Sequence, residues 1–351
     1  MSEGLDIQAF REALLSWYEE AQRDLPWRRE PSPYGTFLSE MMLQQTRVDT
    51  VIPYYKRFLE AFPDFRALGE AEEEAVLKAW EGLGYYSRAR NLRKAAKLVM
   101  NLYEGVLPSD PELLGKLPGV GAYSKGSIAS IAFGIPVPAV DGNVLRVLAR
   151  VSGNPGDLGE AGVKKALTVL AGELVSPARP GDFNQGLMEI GALVCLPNGA
   201  PLCGACPLFP FCVAGRKELT GKIPPPKEKK ALQEVPLTVL RIWQGEALLL
   251  RKRPTGGLLG GLYELPNLEG QLNEGAVEEA LRAWGFAGFT LIPLGRASHV
   301  FTHLRWQMVG YEVRDAQGAL PPGWVLADRE ELAGLYAVPR AFRAFLPGEV
   351  R

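Results

Sequence analysis

The stretch LPGVGAYSKGSIASIAFG, residues 117–134, decides how the first two thirds of the chain folds. Gly119 and Gly121 allow backbone conformations that other residues avoid, and the residues after them are typical of a helix. The start of such a helix leaves N–H groups uncovered, and these can bind an anion such as a DNA phosphate. A plain turn between two helices is the simpler interpretation of two glycines alone. We predict an αα-hairpin at 117–121 in which Gly119, Val120 and Gly121 contact a phosphate.

The sequence around the hairpin divides into three parts. Residues 1–222 contain helical patterns such as FREALLSWYEEA, which places Phe10, Leu14, Trp17 and Tyr18 on one face. Residues 223–234 include consecutive prolines and a charge run, which predicts a stiff, solvated linker. Strand-like runs, PLTVLRIWQGEALLLRKRP and HVFTHLRWQMVGYEV, then flank the short helix EGAVEEALRAWG. We therefore predict an all-α domain followed by an α+β domain at 235–351.

The net charge and the absence of long apolar runs indicate the cellular compartment but do not identify the binding partner. The chain has 351 residues and a formal net charge of −1, so any nucleic-acid surface has to be local. We expect such a surface from the basic residues that flank the hairpin in sequence, which are Arg88, Arg90, Arg93, Lys94, Lys97, Arg146 and Arg150. The N-terminus does not resemble a signal peptide, and no apolar run reaches the roughly 20 residues that span a bilayer. We expect a cytoplasmic protein without a membrane partner.

All four cysteines lie in one short segment. Seven, two and five residues separate Cys195, Cys203, Cys206 and Cys212. A disulfide framework would be spread along the chain, so this crowding predicts a soft metal centre with four thiolate ligands. The spacing alone is compatible with zinc and with an iron–sulfur cluster.

Two carboxyl residues are candidates for catalysis. Taken singly, Glu40 is a helical surface glutamate and Asp141 is the N-cap of the helix that follows it. The helix FNQGLMEIGALVC and the cysteines after it resemble those of helix-hairpin-helix DNA glycosylases. The reaction of that family, cleavage of an N-glycosidic bond, needs a general acid for the leaving base and a carboxylate that faces the sugar cation. Glu40 precedes Met41, Met42 and Leu43, and desolvation by such neighbours would keep its carboxyl protonated near neutral pH.

Five motifs together resemble one family. The segments LSEMMLQQTRVDTVIPYY, WEGLGYYSRARNL, LPGVG, VDGNVLRV and FNQGLMEIGALVC are similar to those of MutY-type adenine DNA glycosylases. These are helix-hairpin-helix enzymes with a [4Fe–4S] cluster and a C-terminal Nudix-like domain. The resemblance implies base excision repair of adenine opposite 8-oxoguanine, and of A·G mispairs, by a monomer acting on double-stranded DNA, nucleoid-associated in a bacterial cytoplasm. It implies a six-helix barrel that contains the hairpin, and a cluster subdomain built from the N-terminal helix and 141–222.

The same resemblance assigns roles to individual residues. Glu40 protonates adenine and handles the attacking water, Asp141 stabilises the sugar cation, and Asn143 and Tyr123 assist. Residues that match the flipped-adenine pocket are Trp27, Arg28, Leu43, Val48 and Glu189. Residues that match contacts beside 8-oxoguanine or the DNA are Gln45, Thr46, Leu83, Tyr85 and Arg88.

Position 123 predicts the reaction type. Relatives with strand-cleaving lyase activity, such as endonuclease III, carry a lysine nucleophile two residues after the second hairpin glycine. That position is Tyr123 here, and Lys125 lies roughly 200° further round the helix. We predict a monofunctional glycosylase with Lys125 on the DNA-facing or solvent side.

The C-terminal domain resembles a Nudix fold without its metal site. Arg282 and Ala283 stand where a Nudix hydrolase has its glutamate pair, so we expect a binding module rather than a pyrophosphatase. Phe301, Thr302 and His303 match the Phe-Ser-His loop that recognises 8-oxoguanine in the family. Two alternatives remain open: a thymine or uracil mismatch glycosylase on the same scaffold, and a non-catalytic DNA-binding or redox-sensing iron–sulfur protein.

Overall fold

The computed structural model describes residues 4–226 and 231–348. The outermost residues of the two predicted domains (1–3 and 349–351) and the centre of the predicted linker (227–230) lie outside the described part. Contacts divide the chain into two units, and each is described by itself. The first contains the described residues of 1–70 and 91–228, and the second contains 71–90 together with the C-terminal part. The predicted domain limits did not anticipate that segment 71–90 packs with the C-terminal unit.

The chain up to residue 226 is helical wherever it has regular structure in its described part, as predicted. Its α-helices are α1 (Ile7–Ala21), α2 (Pro26–Arg29), α3 (Pro33–Leu43), α4 (Val48–Ala61), α5 (Phe65–Glu70), α6 (Glu73–Ala79), α7 (Ser87–Tyr103), α8 (Pro111–Leu114), α9 (Ala122–Phe133), α10 (Gly142–Ser152), α11 (Ala161–Leu174), α12 (Pro180–Glu189) and α13 (Val213–Arg216). A π-helical turn extends α12 over Ile190–Val194, and 3-10 turns occupy Cys203–Ala205 and Phe209–Phe211.

Helix α1 shows how the sequence pattern produces the core of the first unit. The Asp6 side chain accepts a hydrogen bond from the Ala9 N–H and begins the helix. Phe10, Leu14 and Tyr18 are buried, and Trp17 of the predicted face is partly buried. Phe10 and Leu14 join residues of α10, α11 and α12 in one apolar cluster. The core therefore fixes the start of α10, where Asp141 is the N-cap.

The run TFLSEMMLQQTRVDTVIPYYKRFLEAF is not one continuous helix. It is broken between α3 and α4, where Gln45 has a φ of 58°. The Gln44 Nε2 atom donates to the Gly119 carbonyl (3.2 Å) and to Ser124 Oγ (3.1 Å). These long-range bonds join the end of α3 to the glycine hairpin and α9, which local periodicity cannot reveal.

The second unit contains a mixed sheet, which confirms the predicted α+β class. Its strands are β1 (Gln233–Gln244), β2 (Ala247–Lys252), β3 (Tyr263–Glu264), β4 (Asn267–Glu269), β5 (Thr290–Val300), β6 (Leu304–Arg314) and β7 (Trp324–Ala327). The order is β3-β2-β1-β6-β5, with β4 paired to β1 and β7 to β2. Strands β1 and β6 are parallel, and the other pairs are antiparallel. The unit also contains α14 (Glu274–Ala283), α15 (Arg329–Gly334), a 3-10 turn at Arg340–Phe345 and segment 71–90 with α6.

The predicted end of the linker at residue 234 was two residues too late. Strand β1 begins at Gln233, so the linker ends before residue 234, because Gln233 and Glu234 pair with Leu304 and Arg305 of β6. The strand-like run HVFTHLRWQMVGYEV contains the end of β5, a turn at 301–303 and most of β6. The Phe301 N–H donates to the Leu304 carbonyl (2.8 Å) and closes this turn, which leaves Thr302 and His303 exposed. Within the described residues, no helix is long and apolar enough to cross a membrane.

Candidate active site

A cavity of about 670 Å³ in the first unit brings the two candidate carboxyls together. Glu40 reaches it from α3, and Asp141 reaches it from the start of α10. Other predicted residues that line it are Trp27, Arg28, Leu43, Thr46, Val48, Tyr123, Asn143 and Glu189. All five residues matched to the adenine pocket are in this set. Segments far apart in sequence therefore converge as the motifs predict.

The Glu40 carboxyl is buried and is adapted to hold a proton. Its residue is 5% exposed, and Oε2 has no hydrogen-bond partner among the described residues. Burial raises the pKa of Glu40 from 4.5 to about 7, and interactions with the hydroxyls of Tyr123 and Ser127 offset part of this increase. A carboxyl with this pKa is protonated in a large fraction of molecules at neutral pH and can act as a general acid.

The Asp141 carboxyl is oriented by bonds to both of its oxygens. Oδ1 accepts from the Val144 N–H (2.8 Å), and Oδ2 accepts from Asn143 Nδ2 (2.9 Å). Burial raises the pKa of Asp141, and these hydrogen bonds act in the opposite direction. Asn143 Oδ1 in turn accepts from Arg146 Nη2 (2.9 Å). The Val144 amide and the Asn143 side chain thus orient the carboxylate at the cavity wall.

Glu189 lines the cavity and forms ion pairs with two arginines. Its side chain is 1% exposed, and its two oxygens lie 2.8 Å from Arg23 Nε and 2.8 Å from Arg28 Nη2. Arg28 Nε also donates to Gln185 Oε1 (2.8 Å). Arg23 and Gln185, which also line the cavity, were not predicted from the sequence. Gln185 precedes Glu189 by four residues on α12, and this spacing on one helix face was a usable signal. Arg23 gave no such signal.

Tyr123 lines the cavity and Lys125 does not. Desolvation raises the pKa of the Tyr123 phenol well above its usual value, so the side chain stays neutral. The Lys125 ammonium forms an ion pair with Glu112 (2.8 Å). No lysine of the described residues lines this cavity, so an amine nucleophile is missing from its described wall.

In the glycine hairpin, a side chain would clash at Gly119, whereas Gly121 has space for one. Gly119 has a φ of 83°, and an added Cβ would lie 2.4 Å from Met41 Cε and 3.0 Å from Asn91 Cβ. Gly121 is the exposed N-cap of α9, and a Cβ there would meet no atom within 4 Å. The Val120 N–H donates to the Leu117 carbonyl (3.1 Å), so this amide is used inside the turn. That Gly119, Val120 and Gly121 contact a phosphate stays a prediction, and the open approach among the three is at Gly121.

The two glycines predict opposite outcomes on substitution. We expect Gly119→Ala to destabilise the protein by about 1–3 kcal/mol, because it adds a clash to a left-handed backbone. Gly121→Ala is the matched control, with an expected change within about 0.5 kcal/mol. Urea unfolding followed by circular dichroism measures both. Equal midpoints for the two variants would contradict this account of the hairpin.

Three of the basic residues expected to track phosphates are buried instead. Arg88, Arg146 and Arg150 are 5%, 8% and 5% exposed. Arg146 donates to the carbonyls of Cys195 (2.9 Å) and Gly191 (2.8 Å). Their charges therefore hold loops in place, and the prediction that they follow the DNA backbone was wrong. Lys94 and Lys97 are exposed on α7.

The cysteine segment packs against the end of α10. All four thiols are free and partly buried. Arg150 Nη1 donates to Cys195 Sγ (3.2 Å), and the Gly215 N–H donates to Cys212 Sγ (3.3 Å). Burial raises the pKa of Cys206 to about 11, and the neighbouring thiols Cys195, Cys212 and Cys203 add to this shift. Among the described residues, no group of three or more His, Cys, Asp or Glu side chains is arranged to hold a single metal ion.

The second unit brings two predicted 8-oxoguanine contacts together. Tyr85 Oη lies 2.6 Å from Thr302 Oγ1, although the two residues are 217 positions apart. Tyr85 is 47% exposed and has a φ of 47°, which is unusual for a residue with a side chain. Phe301 packs edge-on against the rings of His299 (4.7 Å) and Trp306 (4.9 Å).

The other predicted contacts lie apart from this pair. Gln45 is exposed and Thr46 lines the cavity of the first unit. Leu83 is 6% exposed. Arg88 Nη2 donates to the carbonyls of Leu83 (3.2 Å) and Gly84 (3.0 Å). Arg88 therefore supports the loop that carries Tyr85 and is not itself open to a base.

Comparison with known proteins identifies the family. Residues 38–172 match the HhH-GPD superfamily of base excision DNA repair proteins, and residues 238–347 match the NUDIX domain. The adenine DNA glycosylase of Homo sapiens is 36% identical, over 97% of this chain and 74% of the human protein. That of Buchnera aphidicola subsp. Schizaphis graminum is 35% identical, over 76% of both chains. A thermostable thymine-DNA glycosylase structure superposes with a TM-score of 0.55 and 28% identity, over 62% of this chain and 100% of that one. With these relatives and its cavity, the chain belongs to the MutY-type adenine DNA glycosylases, which are DNA repair hydrolases.

Proposed function

We propose that this protein removes adenine opposite 8-oxoguanine or guanine in double-stranded DNA, by hydrolysis and without cutting the strand. The observation that carries the proposal is the cavity that holds a buried Glu40 and an oriented Asp141 with no lysine among its described lining residues. Glu40 is buried inside this cavity, so adenine has to leave the base stack to reach it. Trp27, Leu43 and Val48 supply apolar surface there, and Glu189 supplies a fixed polar group.

The chemistry follows from the two carboxyl environments. Protonated Glu40 gives its proton to a ring nitrogen of adenine while the bond between that base and the sugar C1′ breaks. The ionised Asp141 faces the positive charge that develops at C1′. A water molecule then attacks C1′, and its proton returns to Glu40. The products are free adenine and an abasic site, and the enzyme is restored.

The four cysteines fit a [4Fe–4S] cluster. Cys195, Cys203, Cys206 and Cys212 are soft donors in one segment, none is in a disulfide, and two of the sulfurs receive N–H bonds. Such bonds to sulfur are typical around iron–sulfur clusters. When bound, the cluster would supply a structural cross-link of loop 195–212. Arg146 connects the Cys195 carbonyl to Asn143, and so to the support of Asp141.

We assign recognition of the base opposite adenine to the second unit. Tyr85 and Thr302 place two hydroxyls side by side on an exposed surface, and His303 is exposed next to them. 8-oxoguanine differs from guanine by an added oxygen and an added N–H, so paired hydroxyls can distinguish the two bases. Thr302 retains the hydroxyl that serine has in the family's loop.

A duplex panel tests the proposed function. We expect adenine release from A·8-oxoguanine and A·G duplexes, strand breaks only after alkali, and no covalent adduct with borohydride. T·G and U·G duplexes serve as controls, since the fold is shared with a thymine-DNA glycosylase. Excision from T·G in place of A·8-oxoguanine would favour that second activity. Borohydride trapping would refute hydrolysis without a lyase step.

A further inference from the structure

Segment 71–90 is fixed within the second unit by side-chain bonds from several of its residues. Lys252 Nζ donates to Glu74 Oε1 (2.9 Å), and Arg90 Nη2 donates to the Gly260 carbonyl. Two further residues of the segment, Lys78 and Glu81, bind the chain that follows strand β7. The segment therefore has a defined position on the sheet-containing unit.

Lys78 has all three ammonium donors in use. Nζ donates to the carbonyls of Leu332 (2.8 Å) and Tyr336 (3.0 Å) and lies 2.7 Å from Glu81 Oε2. Leu332 belongs to the last turn of α15, where carbonyls lack helical partners and attract a cation. The side chain of Lys78 is only 15% exposed. These contacts hold the Lys78 side chain in one position. We call Lys78 and Glu81, with the contacts they make to the chain after β7, the anchor.

Glu81 completes the anchor and precedes the loop that carries Tyr85. Its Oε1 accepts a hydrogen bond from the Val338 N–H (2.7 Å). Four residues later, Tyr85 contacts Thr302. The intervening loop is stiff, because Trp80 Nε1 donates to the Gly84 carbonyl (3.1 Å) and Arg88 Nη2 donates to the same carbonyl. A shift of the anchor would therefore move Tyr85 away from Thr302.

We propose that Lys78 and Glu81 are positioning residues for selectivity toward the base opposite adenine, because they hold Tyr85 against Thr302. The inference rests on the proposed function. Neither residue lines the adenine cavity, so they act on recognition of the opposite base and not on bond cleavage. A hydrogen bond between two hydroxyls depends steeply on distance, which makes this pair sensitive to the anchor.

Lys78→Met tests the inference in the full-length protein. We measure single-turnover excision and duplex affinity on A·8-oxoguanine and A·G. The expected result is a preference for A·8-oxoguanine reduced about 5- to 10-fold, as for the loss of one hydrogen bond, with A·G excision within about twofold of wild type. Lys78→Arg keeps a charged donor and should retain most of the preference. Lys165→Met removes an exposed lysine from α11 as the matched control.

A double-mutant cycle separates positioning from general stability. Thr302→Val lowers the preference in the wild-type background and should add little in the Lys78→Met background, since both act on one contact. Additive losses, or equal losses on the two mispairs, would overturn the inference. If Lys78→Met does not fold, Glu81→Gln replaces it. Glutamine still accepts the Val338 N–H but removes the negative charge that pairs with Lys78. Equal wild-type rates on the two mispairs would overturn the proposed function together with the inference. A wild-type preference that survives Lys78→Met would overturn the inference alone.

Discussion

Glu40→Gln should reduce single-turnover adenine excision by about 10³-fold, within the range of general acid catalysis. Glutamine has the size of the buried glutamate but does not supply the acidic proton that Glu40, with its pKa of about 7, can transfer to the base. DNA affinity should be retained. Glu173→Gln, an exposed change on α11, is the matched control and should keep wild-type activity.

The same substitution should stabilise the folded protein at alkaline pH. Glu40 has a pKa of about 7 when folded and an ordinary value of 4.5, so its folded form holds the proton more tightly. This contribution is fully present below pH 4.5 and is lost as the pH rises through about 7. At about pH 8 the wild type should have lost about 3 kcal/mol relative to Glu40→Gln, from about 1.4 kcal/mol per pKa unit. Unfolding curves at acid and alkaline pH measure the difference, and parallel pH profiles would contradict it.

Asp141→Asn should lower excision by on the order of 10²–10³-fold while the fold is retained. Asparagine caps helices as well as aspartate does, so the bond from the Val144 N–H to the side chain can persist. What is lost is the negative charge that faces the sugar cation.

Asp6→Asn provides the matched control for this prediction. Asp6 is also an N-cap, and it accepts from the Ala9 N–H at an exposed position on α1. Both variants should unfold within about 1 kcal/mol of wild type. Excision is measured on the same duplex for both. A fully active Asp141→Asn would remove the electrostatic role that we assign to this residue.

The family resemblance named residues that the structure brings to one cavity, among them Glu40, Asp141 and Glu189. Their catalytic and binding roles stay predictions. The fold class followed from helical periodicity up to residue 222 and strand alternation after the prolines. Tyr123 was placed correctly relative to Lys125 because helix geometry alone determines their angular separation.

Long-range bonds account for what the sequence did not reveal. Arg146 and Arg150 looked like surface charges, but their partners are backbone carbonyls of the cysteine segment, far along the chain. Segment 71–90 has helical periodicity like its neighbours, yet Lys78 joins it to carbonyls 254 and 258 residues away. Such partners are set by tertiary packing and leave no periodic signal.

The pH dependence of single-turnover adenine excision tests the central claim most directly, namely that a buried, protonated Glu40 drives base release. With saturating enzyme on an A·8-oxoguanine duplex, the rate should fall above about pH 7, approaching tenfold per pH unit as the Glu40 proton is lost. The falling limb should be missing from the residual activity of Glu40→Gln. A wild-type rate that rises through neutral pH, or an unchanged falling limb in Glu40→Gln, would contradict the account.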